Sequence, residues 1–226
     1  DYVTDVDNTN AEISWSYSGN VALAVSIVSG IATITPLDIN WNGTETITFI
    51  ATDPGLLFDS DSAVFTVTAV NDPPVLADIE TTPLDYTENA TATIITNTIT
   101  VTDVDDTNLE SAVISISDNY QSEQDILSFT DANGIFGTWV EATGILTLNG
   151  SASLADYQMA LRSIRYFNNS DNPSTLTRTI SFTVHDGTDA GLPITRQISV
   201  TAVNDVPVAD SVAFEGTMIS DSTLTG

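Results

Sequence analysis

The chain has 226 residues and a formal net charge of −27, set by 23 Asp and 8 Glu against four Arg and no Lys. So acidic a surface repels nucleic acid and anionic lipid, and no apolar run is long enough for a membrane-spanning helix. The lack of cysteine excludes disulfides and thiolate metal sites, and the lack of Lys excludes Lys–Asn isopeptide staples. An apolar content of 42%, rich in Val, Ile, Thr and Phe, supplies strand-forming core residues and speaks against disorder.

Residues 1–70 read as a β-sandwich whose first strand lies before the chain begins. Glu12–Tyr17 alternates, Val21–Val28 is largely apolar, Gly30–Ile34 follows, and Glu45–Ala51 and Ala63–Val70 complete the set. Turns fall at Asn42-Gly43 and Asp53-Pro54-Gly55, and no helical period is sustained. Residues 71–80 form a linker stiffened by Pro73 and Pro74.

Residues 81–203 read as a second sandwich, with strands expected at Leu84–Asn89, Ile94–Val101, Val113–Ile116, Ile126–Phe129, Thr138–Val140, Ile145–Leu148, Thr179–Val184 and Ile194–Val200. Relative to the first unit it carries an insertion of 35 residues, placed within 118–165. Ser153 opens a short helix there, with apolar residues at Leu154, Tyr157, Leu161 and Ile164. Arg162, Arg165 and Arg178 are expected to pair with carboxylates. Residues 204–226 form a second linker and the opening of a further repeat, with Val212–Leu224 a candidate strand for a neighbour's open sheet edge.

Repetition is the most informative feature. Thr68-Ala-Val-Asn-Asp-Pro-Pro-Val75 returns as Thr201-Ala-Val-Asn-Asp-Val-Pro-Val208, so Asp72 and Asp205 lie 133 positions apart. At the same offset Asp38–Asp53 aligns on Asp171–Asp186 without gaps, while Asp103-Val-Asp105, 31 residues after Asp72, is the element that Asp5-Val-Asp7 matches at the start of the chain. A single Asp in a turn is ordinary turn chemistry. Acidic residues at repeated offsets point instead to oxygen ligands for a hard cation.

The Val-Asn-Asp-Pro-Pro-Val string, the Thr87-Glu-Asn89 after it, Asp103-Val-Asp105, and the late Ala51-Thr-Asp-Pro-Gly55 and Val184-His-Asp-Gly187 resemble cadherin repeats. More narrowly, they are similar to the cadherin-like tandem repeats of large bacterial surface and secreted proteins, a likeness covering residues 1–208. The segment from Asp156 to Tyr166, and on through Asn172-Pro173, resembles one subtype of these. The resemblance implies an all-β chain of two tandem cadherin- or immunoglobulin-like Greek-key sandwiches that binds Ca²⁺ where units meet.

It further implies that Asp103, Asp105 and Asp186 gather with Asn71 and Asp72, while Asp38 faces that linker from the first unit. Glu88 and Asp171 would meet Asn204 and Asp205 at the second linker, and Asp5, Asp7 and Asp53 would await a preceding one. The Asp-Arg-Glu element of animal cadherins is absent, with Leu37-Asp38-Ile-Asn40 and Ser170-Asp171-Asn172 as looser substitutes, so one or two ions per junction are expected.

The functional expectation is a non-enzymatic, calcium-stiffened extracellular segment of an adhesin, filament or surface-layer protein. Its partners would be neighbouring repeats of the same chain, copies of itself or surface glycans, with no nucleic acid and no membrane insertion. The alternative is a carbohydrate-binding sandwich using Tyr120, Tyr157 and Trp139 as a platform. Trp15, Trp41 and Trp139 are otherwise core or rim residues. The lone His185 has no assignable Ser or Asp partners for catalysis, and the Asp pairs fall at junctions rather than in a cleft.

Overall fold

The structure, a computed structural model, describes residues 3–207. The tail considered as a strand donor, Val212–Leu224, therefore lies outside the described residues. The chain is almost wholly β. Its first part contains β1 (Ser14–Ser18), β2 (Leu23–Val28), β3 (Ile31–Pro36), β4 (Gly43–Thr52) and β5 (Phe58–Val67). There follow β6 (Val75–Ala77), β7 (Leu84–Thr87), β8 (Thr93–Ile94), β9 (Thr100–Thr102), β10 (Asn108–Asp118), β11 (Asp125–Ser128), β12 (Phe136–Val140) and β13 (Ile145–Ser153). Helix α1 (Leu154–Ser163), β14 (Arg165–Asn168), β15 (Arg178–His185) and β16 (Ile194–Thr201) complete it.

The repeat seen in the sequence is a repeat of architecture. β1-β4-β5 pair in that order, and β10-β15-β16 repeat the arrangement within a six-stranded sheet ordered β12-β13-β10-β15-β16-β7. Ser14 lies opposite Thr52 as Ser111 lies opposite His185, and Thr52 and His185 are again separated by the 133-residue offset. The second unit adds β12 and β13 on one flank and the parallel strand β7 on the other, Leu84 opposite Ile198 and Tyr86 opposite Val200.

Period-two alternation makes these sheets. β15 reads Arg-Thr-Ile-Ser-Phe-Thr-Val-His with alternate residues buried, because successive side chains point to opposite faces. Ile180, Phe182 and Val184 enter a core with Tyr86, Ile114, Leu148, Tyr166 and Ile198. The outer faces carry hydroxyls instead. In the first sheet Thr48 pairs with Ser62 at 2.9 Å across the strands, a favourable cross-strand contact.

The two units are not equally packed. In the first, only Leu23 and Ile47 are buried apolar side chains among the described residues. The β2–β3 hairpin faces β4 and β5 across an open groove of about 740 Å³. Glu45 ties the hairpin to the sheet by accepting the backbone N–H groups of Val21, Ala22 and Leu23, the last two at 3.1 and 2.9 Å. An acidic side chain there is a loop anchor.

Several sequence expectations are corrected. Ile94–Val101 is not one strand: β8 pairs with β14 and β9 with β6, so the chain changes partner between them. Ile95 and Ile99 are buried in that bend, and Glu80 secures it by accepting Thr96 Oγ1 at 2.6 Å and Asn97 N–H at 3.1 Å. The linker carries a strand of its own, β6, and Leu76 on it enters the second core. β14 forms at Arg165–Asn168, where no strand is expected from the sequence, and at the 133-residue offset it matches β3 of the first unit. Arg162 and Arg165 donate to backbone carbonyls of Ile99, Thr98 and Ala92 rather than to carboxylates. Arg178 alone of the three meets a carboxylate, that of Asp125.

The helix forms as its sequence dictates. Ser153 Oγ accepts Asp156 N–H at 3.1 Å as N-cap, and Tyr157, Ala160 and Leu161 turn inward. Ser153→Ala should lower unfolding free energy by about 1 kcal/mol, read from urea unfolding of the full chain.

Glu80 gives a pH signature. Burial pushes its carboxyl up, but Thr96, Asn97 and Arg196, the last at 3.2 Å, outweigh this and hold it down at about 2 from an ordinary 4.5. A carboxylate depressed on folding contributes stability above its unfolded value and loses it as pH falls through the folded one. Glu80→Gln should therefore flatten the rise of stability with pH between those two values, measured by urea unfolding of both proteins from pH 2 to 5.

Candidate metal centre

Strand ends decide which acidic loops meet. β9 ends just before Asp103, and β15 ends just before Asp186. Both loops therefore open toward the segment that carries Asn71 and Asp72 ahead of β6. Asp103, Asp106 and Asp186 bring one carboxylate oxygen each to within 4.8 Å of one another, and no other His, Asp or Glu trio does so among the described residues.

The turns fix the carboxylates. Asp103 Oδ1 accepts the N–H groups of Asp105 and Asp106 at 3.1 and 3.0 Å, folding the Asp-x-Asp loop back on itself. Its Oδ2 is buried with no hydrogen-bond partner. Asp186 Oδ1 accepts the N–H of Thr188 and Asp189 at 2.6 and 2.7 Å, and its Oδ2 accepts Asn71 Nδ2 at 2.9 Å. Asn71 Nδ2 also donates to Asp189 Oδ2 at 3.0 Å. Asp72 N–H lies 3.3 Å from both Asp105 oxygens.

Electrostatics split the group. Burial pushes the Asp106 carboxyl up, and the negative charges of Asp105, Asp103 and Asp186 push it further. Burial also raises Asp186, but hydrogen bonds from Asn71, Asp189 and Thr188 outweigh it and hold Asp186 below its ordinary value. His185 Nδ1 lies 3.9 Å from Asp186 but accepts Gly187 N–H at 2.8 Å. That bond makes the imidazole part of the turn. The donor set is all oxygen and partly unsatisfied, which is the chemistry that suits a hard cation.

The remaining acidic residues fall as follows. Glu88 is 5% exposed; its Oε2 accepts Val203 N–H at 2.7 Å and its Oε1 is unpartnered. Because β7 and β16 are parallel, Glu88 sits at the end of the sheet opposite Asp186. Asp171, in the β14–β15 loop, Asn204 and Asp205 belong to that same end and are exposed. Asn204 Nδ2 donates to the Asp205 carbonyl at 3.2 Å.

In the first unit, Asp38 follows β3 at the end where β5 runs out toward Asn71; its Oδ1 accepts Asn40 N–H at 3.0 Å. Asp53 follows β4 at the other end and accepts Leu57 N–H at 2.8 Å. Asp5 accepts the N–H of exposed Asp7 and of Asn8, and these bonds hold its carboxyl below the ordinary value. Sequence reasoning missed Asp106 and Asp189. Asp106 was legible as the third acid of Asp103-Val-Asp-Asp, and Asp189 as the second acid of the Asp186-Gly-Thr-Asp turn.

The aromatic platform does not form. Tyr157 is fully buried, donating its hydroxyl to the Gly150 carbonyl at 2.7 Å. Tyr120 and Trp139 meet edge to face at 83° rather than side by side. Trp15, Trp41 and Trp139 are all partly buried.

Fold and site together define a chain of tandem β-sandwiches with acidic loops at the linker, and it resembles the cadherin-like repeats of large surface proteins. Over 166 residues, 71% of this chain, it is 28% identical to halomucin of Haloquadratum walsbyi, and it spans 2% of that protein's length. Among solved structures it is similar to extracellular cadherin domains 3–6 of protocadherin gamma B2, at 16% identity and TM-score 0.40, over 86% of this chain and 41% of that one. It is likewise similar to PcdhgB3 EC1–4, at 14% identity and TM-score 0.39, over 88% and 42%. No family model matches.

Proposed function

We propose that this chain is a non-enzymatic, calcium-stiffened extracellular segment of an adhesin, filament or surface-layer protein, made of two sandwich units, residues 1–70 and 81–203. The observation that carries the reading is the buried, unpartnered Asp103 Oδ2 beside Asp106 and Asp186. Three carboxylates converge there with one oxygen unsatisfied and no Arg among their hydrogen-bond or ion-pair partners, His185 Nδ1 at 3.9 Å from Asp186 being the one basic side chain near them among the described residues. A divalent cation supplies positive charge that cancels their repulsion.

Asp103, Asp106 and Asp186 would hold the ion, with Asn71, Asp72 and Asp105 lacing the linker to the same loops. Asp38 would approach from the first unit. Glu88, with its own unpartnered oxygen, would serve the far end with Asp171, Asn204 and Asp205, and Asp5, Asp7 and Asp53 the end toward a preceding unit. The resulting rod would space a functional end from a surface or build a filament body. Titration with Ca²⁺ by calorimetry tests this. Heat that saturates in the wild type and loses one site's contribution in Asp103→Asn supports the site, and identical isotherms would remove it.

A further inference from the structure

Three of the four arginines have structural partners. Arg178 is paired with buried Asp125, Arg196 with Glu80, and Arg162 donates Nε and Nη2 to the carbonyls of Ile99 and Thr98. Arg165 is the exception. It is exposed at the start of β14, meets no carboxylate among the described residues, and engages only Nη1, which donates to the Ala92 carbonyl at 3.0 Å. Its Nε and Nη2 are left over, and that is the edge by which Arg178 grips Asp125. A guanidinium edge of this kind takes a carboxylate in two parallel hydrogen bonds.

Arg165 lines a concave pocket of about 480 Å³ beside α1, β8 and the end of β11. Small-ligand sites usually hold about 300–1,000 Å³. In sheet register Arg165 stands opposite Ser128 on β11 and Ile94 on β8. Ile94, Phe129 and Met159 give the pocket an apolar wall, and Ser128, Thr130 and Ser163 add hydroxyls. Asp156 is already engaged there: its Oδ1 accepts Asn133 Nδ2 at 2.7 Å and its Oδ2 accepts Ser153 Oγ at 2.6 Å. Those bonds hold the Asn133 amide in place and leave its oxygen to accept from a ligand.

An apolar wall, several neutral hydroxyl and amide groups and one cation match the parts of an acidic sugar: a C–H face, hydroxyls and a single carboxylate. A neutral sugar would leave the guanidinium edge unused. An acidic peptide or a second copy of this chain would bring many negative charges to a surface of net charge −27. We propose that this pocket binds one uronic acid unit, its carboxylate on Nε and Nη2 of Arg165 and its C–H face on Met159 and Ile94. The pocket shares no residue with the cluster of Asp103, Asp106 and Asp186, so it stands or falls apart from calcium binding there.

The test is a titration of the isotope-labelled full chain with methyl β-D-glucuronide at fixed Ca²⁺, followed by amide NMR shifts. Saturable shifts should centre on residues 128–133, Met159 and Arg165, and should weaken as NaCl screens the exposed charge pair. Methyl β-D-glucoside, which lacks the carboxylate, should bind about ten- to a hundredfold more weakly, the scale of a charge-assisted hydrogen bond. Arg165→Gln should lose the same factor. Because Arg165 also holds Ala92, Ser128→Asp serves as a second variant: it sets a carboxylate opposite the guanidinium at an exposed position and should block the glucuronide. Absence of saturable shifts at these residues overturns the proposal, as does equal affinity for the glucoside or unchanged affinity in the two variants. A Gly-Glu-Gly peptide binding as tightly as the glucuronide overturns the sugar and assigns the pocket to a protein carboxylate.

Discussion

Arg178→Ala should destabilise the second unit by about 3–5 kcal/mol, the scale expected when one member of a buried ion pair is removed. Arg178 and Asp125 are both fully buried, with Nε 3.1 Å from Oδ2 and Nη2 3.3 Å from Oδ1. Asp125 also accepts the Tyr166 hydroxyl at 2.6 Å, Asn168 Nδ2 at 2.7 Å and Gln121 N–H at 2.9 Å. Arg178 Nη1 reaches the carbonyls of Ser174 and Leu176. The network joins β11, β14, β15 and the loop before β15, so its loss loosens all four of these segments.

Burial, then the bond to Asp125 and its charge, push the Tyr166 hydroxyl far up, keeping it a neutral donor throughout the accessible pH range. Asp125→Leu with Arg178→Met removes the charge imbalance but strands three donors, so it should remain less stable than wild type. Each orphaned donor costs about 1–3 kcal/mol. Urea unfolding at fixed Ca²⁺ measures both. A single substitution costing under about 1 kcal/mol would mean that water reaches Asp125, contrary to its burial.

Calcium should raise the unfolding free energy in proportion to the logarithm of its concentration. For one site the gain is about 2.7 kcal/mol at a hundred times Kd, and the extracellular module proposed above has an expected Kd of about 10⁻⁴–10⁻³ M. The informative variant is Asp103→Asn with Asp106→Asn. Without calcium it should be at least as stable as wild type, because two charges that push Asp106 and its neighbours apart are gone. With calcium it should gain little. Thermal melting in EGTA and in calcium, at matched ionic strength, reads both signs. A variant that keeps the full calcium response would place the ion elsewhere. Mg²⁺ should substitute poorly because it dehydrates reluctantly and demands octahedral geometry.

The sequence by itself determined the strands of alternating pattern, the helix opened by Ser153, and the repeat with its 133-residue period, because these rest on local chemistry and linear spacing. Thr-Ile-Ser-Phe can only be a strand with two unlike faces, and a Ser before an apolar 3.6-residue stripe can cap a helix in isolation. It also determined that carboxylates recur at fixed offsets. Which of them converge was decided in three dimensions.

Asp105 turns toward Asp72 N–H while its neighbour Asp106 joins Asp103 and Asp186, and a one-residue choice within a loop depends on φ/ψ and not on spacing. The break between β8 and β9, the entry of Leu76 into the core and the burial of Tyr157 follow from which edges and volumes remain to be filled. The destinations of Asp125 and Glu45, one in a buried ion pair and one on a hairpin's backbone, have the same origin. An Asp or Glu is only an oxygen donor with a charge. The partner that satisfies it is chosen by the fold, since burial makes any unpaired choice cost more than the alternatives.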